Sequence, residues 1–367
     1  MKVGERRIGP DEPCYVIAEV GSNHDGHKAK ALELIEAAAE SGAEAVKFQL
    51  FRAGTLYPPE NLVVETAGGE VDLYDFFSSR ELKEDWLGEL TERCRAKGLH
   101  FICTPFYEEA VAPLAQAGVD AFKIASPELN HFPLIKLSAS TRIPLIISTG
   151  ISKLGDVEAA VETAEAAGAK DLALLHCVTS YPAPAEDSNL AVMETLRQAF
   201  GYPTGLSDHS LGIEVPVTAA LAGCQILEKH FTLDKKADGP DHKVAADPRE
   251  LSRVVAGIRI AEKLSAQEKI KALEEPRARL IMGRARKKVA PSERELYICD
   301  SRSIYAGRDI NKGESIGPAD LVLLRSERFN SPGLHPRYLD LLAGLKVRRD
   351  IRALTGIQWD DLMEKAS

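Results

Sequence analysis

From the N-terminus to about residue 265, eight short apolar runs alternate with longer amphipathic stretches, and this rhythm leaves few folds open. The runs are CYVIAEV from Cys14, AVKFQL from Ala45, HFICTP from His100, AFKIAS from Ala121, PLIIST from Pro144, LALLHC from Leu172, PTGLSD from Pro203 and QILEKHF from Gln225. PTGLSD carries the weakest strand signal. Between them lie Ala/Glu/Lys/Leu-rich segments of helical period, such as KAKALELIEAAAESG and KLGDVEAAVETAEAAG, each closing near a glycine as helix C-caps do. Strand and helix in strict alternation predict a parallel sheet. Eight such units predict a closed (β/α)8 TIM barrel over residues 1–265.

Beyond the barrel the rhythm stops. Residues 266–296 are rich in Lys, Glu and Arg and contain Pro276 and Pro291, which reads as a helix tail and linker. Its basic cluster Arg284, Arg286, Lys287 and Lys288 reads as solvated. Residues 297–367 show short strand-like pieces between Gly and Asn turns, which predict a small, mainly β domain.

Charge narrows the function. The 367 residues hold 46 Lys+Arg against 55 Asp+Glu, a net charge of -9, which argues against nucleic acid as a partner. No apolar run approaches the roughly 18 residues that span a bilayer, and MKVGERRIGPDEP has no apolar secretory core, so no membrane association and a cytoplasmic location are expected. Six widely spaced cysteines (Cys14, Cys94, Cys103, Cys177, Cys224, Cys299) form no C-x-x-C pair and read as reduced thiols.

In a barrel, alternate strand residues point inward and the active site lies at the carboxyl ends of the strands. In AVKFQL, the apolar parity of Val46, Phe48 and Leu50 leaves Lys47 and Gln49 inward. The same reasoning turns Lys123, Thr104 and Ser148 inward. Two lysines and a row of hydroxyls at one mouth describe an anion pocket. The other reading is that each lysine pairs with a buried carboxylate, Glu19 or Glu228 being available. His209 (GLSDHS) and His230 (LEKHF) close adjacent strands, which suits a divalent ion such as Mn²⁺ with open positions for substrate; singly, each is an ordinary core or surface histidine. His24 and His176 are weaker candidates.

The strings IAEVGSNHDG, AVKFQ, CTPF, KIAS, ISTG, LHCVTSYPAP, GLSDHS, EKHFTLD and GPDH, in this order over nearly the whole chain, resemble the sialic acid synthase family. The C-terminal segment resembles the SAF, or antifreeze-like, domain. The resemblance implies a transferase that condenses phosphoenolpyruvate with N-acetylmannosamine or a related 2-acetamido sugar and releases phosphate. By that resemblance, Lys47, Thr104, Lys123, Ser126, Ser148 and Ser207 hold the phosphate and carboxylate of phosphoenolpyruvate. Thr179 stands where some members place an Asn on the phosphate. His209 and His230 match the ligands of a divalent metal, Mn²⁺ with Mg²⁺ or Co²⁺ as alternatives. Glu19, Gln49, Tyr181 and Asp241 match sugar-binding positions, and Glu19 lies near the reacting carbons. Arg325 matches a residue that reaches the sugar's acyl group from the partner subunit, which implies a homodimer with swapped C-terminal domains. The absence of a serine after GPDH, and the loop NLVVETAGGEVDLYDFF, leave the sugar open among N-acetylmannosamine, legionaminic-type and pseudaminic-type precursors. The competing readings are a related barrel enzyme that joins phosphoenolpyruvate to a sugar phosphate, for whose second phosphate the strand ends show no surplus of basic residues, a Schiff-base aldolase using Lys47 or Lys123, and a non-catalytic carbohydrate- or ice-binding protein.

Overall fold

In the computed structural model, residues 1–57, 63–66, 69–239, 241–326 and 331–363 are described. Part of the loop expected to shape the sugar pocket, residues 58–62 and 67–68 among them, lies outside this set. Eight parallel strands close into a barrel in chain order: β1 (Tyr15–Gly21), β2 (Ala45–Leu50), β3 (His100–Pro105), β4 (Ala121–Ile124), β5 (Leu145–Ser148), β6 (Leu172–Cys177), β7 (Thr204–Asp208) and β8 (Ile226–His230). Each predicted run holds one of them. The weak seventh is explained by packing: a Cβ at Gly205 would lie 2.0 Å from the Ile226 carbonyl oxygen on β8, so the strand gives up a side chain to let its neighbour close in.

Helices α1 (Lys28–Glu40), α2 (Leu87–Ala96), α3 (Val111–Ala117), α4 (Phe132–Ser140), α5 (Leu154–Ala166), α6 (Val192–Phe200), α7 (Glu214–Leu221) and α8 (Pro248–Lys263) surround the barrel. The last shows how the sequence encodes them. Asp247 caps it by accepting from the Glu250 amide at 2.8 Å, Pro248 occupies the first turn, and Leu251, Val254, Ile258 and Ala261 form one buried stripe. Outward strand residues and these stripes make one large apolar shell. Inside the barrel a second layer, including Tyr15, Ile17, Ala45, Ile102, Ala121, Ile146, Leu175 and Ile226, fills the lower half, and Val3 and Ile8 of the N-terminal hairpin plug its base. What remains is a polar upper half.

The stretch read as a linker folds into α9 (Ala266–Glu274) and α10 (Pro276–Met282), which pack back on α7. Its basic cluster needs one correction: Lys287 is 6% exposed, not solvated. The C-terminal domain is built on the antiparallel pair β9 (Arg302–Ala306) and β10 (Leu321–Arg325) around Ile304, Ile310, Ile316, Val347 and Ile357. All six cysteines are buried and free. Among the described residues no helix is long and apolar enough to cross a membrane.

Candidate active site

Strand parity decides which side chains reach the mouth. Val46 and Phe48, Cys103, Phe122 and Ile124, Ile147, Leu206 and Leu227 all join the outer apolar shell. Their neighbours Lys47, Thr104, Lys123, Ser148, Ser207 and Glu228 therefore turn inward, and all six are buried. Glu19 faces them from β1, between Ala18 and Val20 of the outer shell.

The lysines meet both an anion-ready row of hydroxyls and the carboxylates that the alternative reading allowed. Lys47 Nζ lies 2.7 Å from Glu19 Oε2 and 3.8 Å from Glu228 Oε2, and donates to Thr104 Oγ1 at 3.2 Å. Lys123 Nζ donates to Ser148 Oγ at 2.6 Å and lies 3.5 Å from Glu228 Oε1, which accepts from Ser207 Oγ at 2.8 Å. Gln49 Nε2 donates to Glu19 Oε1 at 2.6 Å. Burial pushes the Glu19 carboxyl up to about 7, with Lys47 opposing and Glu228 adding to the rise. Lys47 stays raised despite its burial because Glu19 and Glu228 face it, whereas burial pulls Lys123 down even with Glu228 close. A carboxyl poised near neutrality beside two lysines can give up its hold on Lys47 to an incoming anion.

A second polar pole lies across the mouth. Ser126 Oγ accepts the Gly150 amide at 2.9 Å, and a Cβ on Gly150 would lie 2.1 Å from Thr179 Oγ1 and 2.8 Å from Ser126 Oγ. Only glycine leaves this cradle open.

His209 and His230 do converge, with ring centroids 5.3 Å apart. His209 Nδ1 donates to the Val178 carbonyl at 2.9 Å, which leaves Nε2 for another partner, and His230 Nδ1 is buried with no hydrogen-bond partner. Burial opposes charge on His209, while Cys177, 3.8 Å from its Nδ1, favours charge there when it is a thiolate; burial pushes His230 well below its usual range. Among the described residues no group of three His, Cys, Asp or Glu gathers, so a divalent ion here would take these two imidazoles and complete its shell with oxygens from outside the protein. Tyr181 stacks on His209 at 4.2 Å and meets His230 edge-on at 5.8 Å. The Asp241 carboxyl faces His209 and is raised by burial. His24 and His176 do not join this group: His24 packs on Phe48 and Trp86, and His176 Nε2 bonds the Ser188 carbonyl at 2.6 Å.

Arg325 lies against the barrel of its own chain: its guanidinium donates to Glu128 Oε1 at 2.6 Å and Asp300 Oδ1 at 3.2 Å, over the rings of Phe106 and Tyr57. The physical reason is its ladder partner Arg302, whose Nε donates to Glu128 Oε2 at 2.6 Å while its other nitrogens take the Phe106 and Leu323 carbonyls. Asn130 clamps the Arg302 backbone from the barrel side. Glu128, fully buried, is thus shared by two arginines. Burial alone would raise its carboxyl, but Arg302 and Arg325 hold it down at about 2.

Sequence reasoning missed Glu128, Arg302, Glu293 and Lys287. Glu128 was findable, because it follows β4 by four residues and so sits at the carboxyl end of a barrel strand, where the active site is expected. The other three lie outside the barrel, where no periodicity marks burial.

The fold is a (β/α)8 barrel whose mouth is lined by buried lysines, carboxylates and hydroxyls, followed by a C-terminal SAF domain, whose model matches residues 301–363. The NeuB family model matches residues 34–270, and the chain belongs to this family, whose members include sialic, legionaminic and pseudaminic acid synthases. The chain is 39% identical to the spore coat polysaccharide biosynthesis protein SpsE of Bacillus subtilis over 371 residues, covering 100% of this chain and 98% of the relative. The crystal structure of that protein superposes with a TM-score of 0.85, covering 100% and 99% of the two chains. The N,N'-diacetyllegionaminic acid synthase of Legionella pneumophila is 36% identical over 98% of this chain and 97% of its own. A sialic acid synthetase from Leptospira borgpetersenii, solved with citrate, is 32% identical at a TM-score of 0.67, over 76% of this chain and 97% of that one.

Proposed function

We propose that this chain condenses phosphoenolpyruvate with an open-chain 2-acetamido sugar to a nonulosonic acid, releasing phosphate. The observation that carries the reading is the buried ring of Lys47, Lys123, Thr104, Ser148 and Ser207 facing the His209–His230 pair across one barrel mouth. Phosphoenolpyruvate brings a carboxylate and a phosphate, which two lysines and a hydroxyl row complement. C3 of the enol attacks the aldehyde carbon to form the C–C bond, water adds at C2, and the C2–O bond to phosphate breaks. A divalent ion on His209 and His230, Mn²⁺ in our reading, would supply Lewis acidity at the aldehyde oxygen. Glu19, titrating near neutrality beside Lys47, is the group we assign to deliver the proton that this oxygen takes up. Tyr181 and Asp241 border the histidines on the sugar side.

The legionaminic-type relative and the GPDH string favour N-acetylmannosamine or a 2,4-diacetamido-trideoxy sugar over the pseudaminic isomer. We place the reaction in the cytoplasm. A homodimer that exchanges its C-terminal domains would make the same contacts between chains that Arg325 makes here within one, and we retain that arrangement as part of the proposal.

The test is phosphate release from phosphoenolpyruvate with Mn²⁺ against a panel of these sugars. Release is expected only with a 2-acetamido sugar present, to be abolished by chelation and restored by Mn²⁺. Full activity of His230→Ala in chelator would sink the metal assignment, and imine trapping with borohydride would favour the aldolase.

A pH profile follows from Glu19. Its raised carboxyl is protonated below about 7, where it can donate; above that, the carboxylate both loses the proton and tightens on Lys47. The rate constant kcat/KM should therefore fall as pH rises through about 7. Glu19→Gln should flatten that limb, and a limb unchanged in the variant would assign the proton elsewhere.

A further inference from the structure

Asp25, in the loop after β1, holds a left-handed backbone conformation (φ 51°) that is uncommon outside Gly, Asn and Asp. Its carboxylate meets donors from three separate segments. Oδ2 lies 2.5 Å from Lys30 Nζ on α1, while Oδ1 accepts from His242 Nε2 at 3.1 Å and faces Arg80 Nε at 3.6 Å. Burial would raise this carboxyl, but the hydrogen bonds from Lys30 and His242 hold it below its usual range, so it is an anion at neutral pH.

Two of these partners reach the side of the mouth where Asp241 lies. His242 is 1% exposed and directly follows Asp241 in GPDH. Because its Nε2 faces a carboxylate, that nitrogen carries the proton, and Nδ1 accepts from the Thr232 hydroxyl at 2.7 Å. A Cβ on Gly239 would lie 2.8 Å from His242 Cδ2, so the chain is folded close onto the imidazole. Beyond it, the Asp241 carbonyl accepts the amides of Val244 and Ala245. Arg80 is the other arm. Its guanidinium lies 3.9 Å over the ring of Phe76 in the short helix Leu73–Ser78, and its Nη2 donates to the Asp238 carbonyl at 3.2 Å. The β1 loop closes on the same place, since a Cβ on Gly26 would lie 2.3 Å from the Ser79 carbonyl oxygen.

The junction bears on one pole of the site. Lys47 and Lys123 are held by other groups, Glu19, Glu228, Thr104 and Ser148. Asp241, by contrast, stands in a turn between β8 and α8, where no strand ladder fixes it. We propose that Asp25 is the positioning residue of the sugar pole: through His242 it fixes the turn that presents Asp241, and through Arg80 it holds the helix Leu73–Ser78 against that turn. A carboxylate that must meet a polar substrate group is sensitive to such support, because a displacement of about 1 Å can cost on the order of 100-fold. The left-handed backbone at Asp25 is the local strain that lets one side chain face both segments.

This rests on the reading of the site under Proposed function, and the two fail differently. The experiment is steady-state kinetics of Asp25→Gly, which keeps the left-handed backbone and removes the carboxylate, with the better of N-acetylmannosamine and a 2,4-diacetamido-trideoxy sugar as acceptor. The sugar KM should rise about 10- to 50-fold while the phosphoenolpyruvate KM stays within twofold. Asp25→Asn, which tolerates the same φ and keeps an acceptor for His242, should recover most of the loss. His242→Ala should match Asp25→Gly, and the double variant should be no more than twofold worse than either single, because both act through one bond. If Asp25→Gly does not accumulate as folded protein, Arg80→Met, expected to raise the sugar KM about 3- to 10-fold, is read for the same split. An equal rise in the phosphoenolpyruvate KM, or additive losses in the double variant, overturns the inference while the wild-type turnover stands. A wild type that releases no phosphate with either sugar overturns Proposed function, and amide hydrogen exchange then still decides the junction. Residues 73–79 and 241–246 should both exchange faster in Asp25→Gly than in the wild type; unchanged exchange in either segment rules the junction out.

Discussion

Lys123→Met should leave a folded barrel that has lost between about 30-fold and several thousand-fold in kcat/KM for phosphoenolpyruvate, the equivalent of roughly 2–5 kcal/mol. The range follows from burial. Lys123 is 2% exposed, donates to Ser148 and is the nearer lysine to Glu228, so its removal takes away a desolvated cation where a substrate anion must be matched. It also leaves the Glu228 carboxylate facing Lys47 alone, at 3.8 Å. That carboxylate repels an incoming anion, so the loss should concentrate in the affinity for phosphoenolpyruvate rather than for the sugar. Isothermal titration with each substrate separates the two. Unchanged phosphoenolpyruvate affinity in a folded variant would contradict the anion role of Lys123.

Glu128→Gln should release the C-terminal domain from the barrel. Removing one partner of a buried ion pair costs about 3–5 kcal/mol because the other charge stays buried, and here two guanidiniums, Arg302 and Arg325, share the one carboxylate. Limited proteolysis should then cut between residues 283 and 300 in the variant while the barrel core resists. Acid should do the same to the wild type. The Glu128 carboxyl is depressed from 4.5 to about 2, so its contribution to docking, on the order of 3 kcal/mol, is complete above about 4.5 and is lost as pH falls towards 2. A domain that stays protected in Glu128→Gln would mean that the apolar contacts and the Asn130 clamp carry the docking.

Much of the barrel was legible because two periods coincide in it. Apolar runs located all eight strands, and within them the single polar residue between two apolar ones, Lys47 between Val46 and Phe48 or Lys123 between Phe122 and Ile124, had one face left to occupy. The convergence of His209 and His230 followed from strand order alone. Pairing was less legible. Spacing turned Lys47 and Glu19 to the same mouth but did not say that they would lie 2.7 Å apart. Outside the barrel the signal fails for a physical reason. Lys287 stands in a run of basic residues whose composition reads as solvated, and its burial depends on Glu293, six residues on, gripping amides from two distant loops. Arg325 stood out by resemblance alone, and nothing in its own strand announces Arg302 across the ladder or Glu128 beneath both.

The central claim, that a C–C bond forms at C3 and phosphate departs by C2–O cleavage, is tested most directly with phosphoenolpyruvate carrying ¹⁸O in the bridging position. Turnover with the accepted 2-acetamido sugar should yield a product longer by three carbons and inorganic phosphate that retains the label. Unlabelled phosphate, or labelled phosphate released without the sugar and with no lengthened product, would contradict the account.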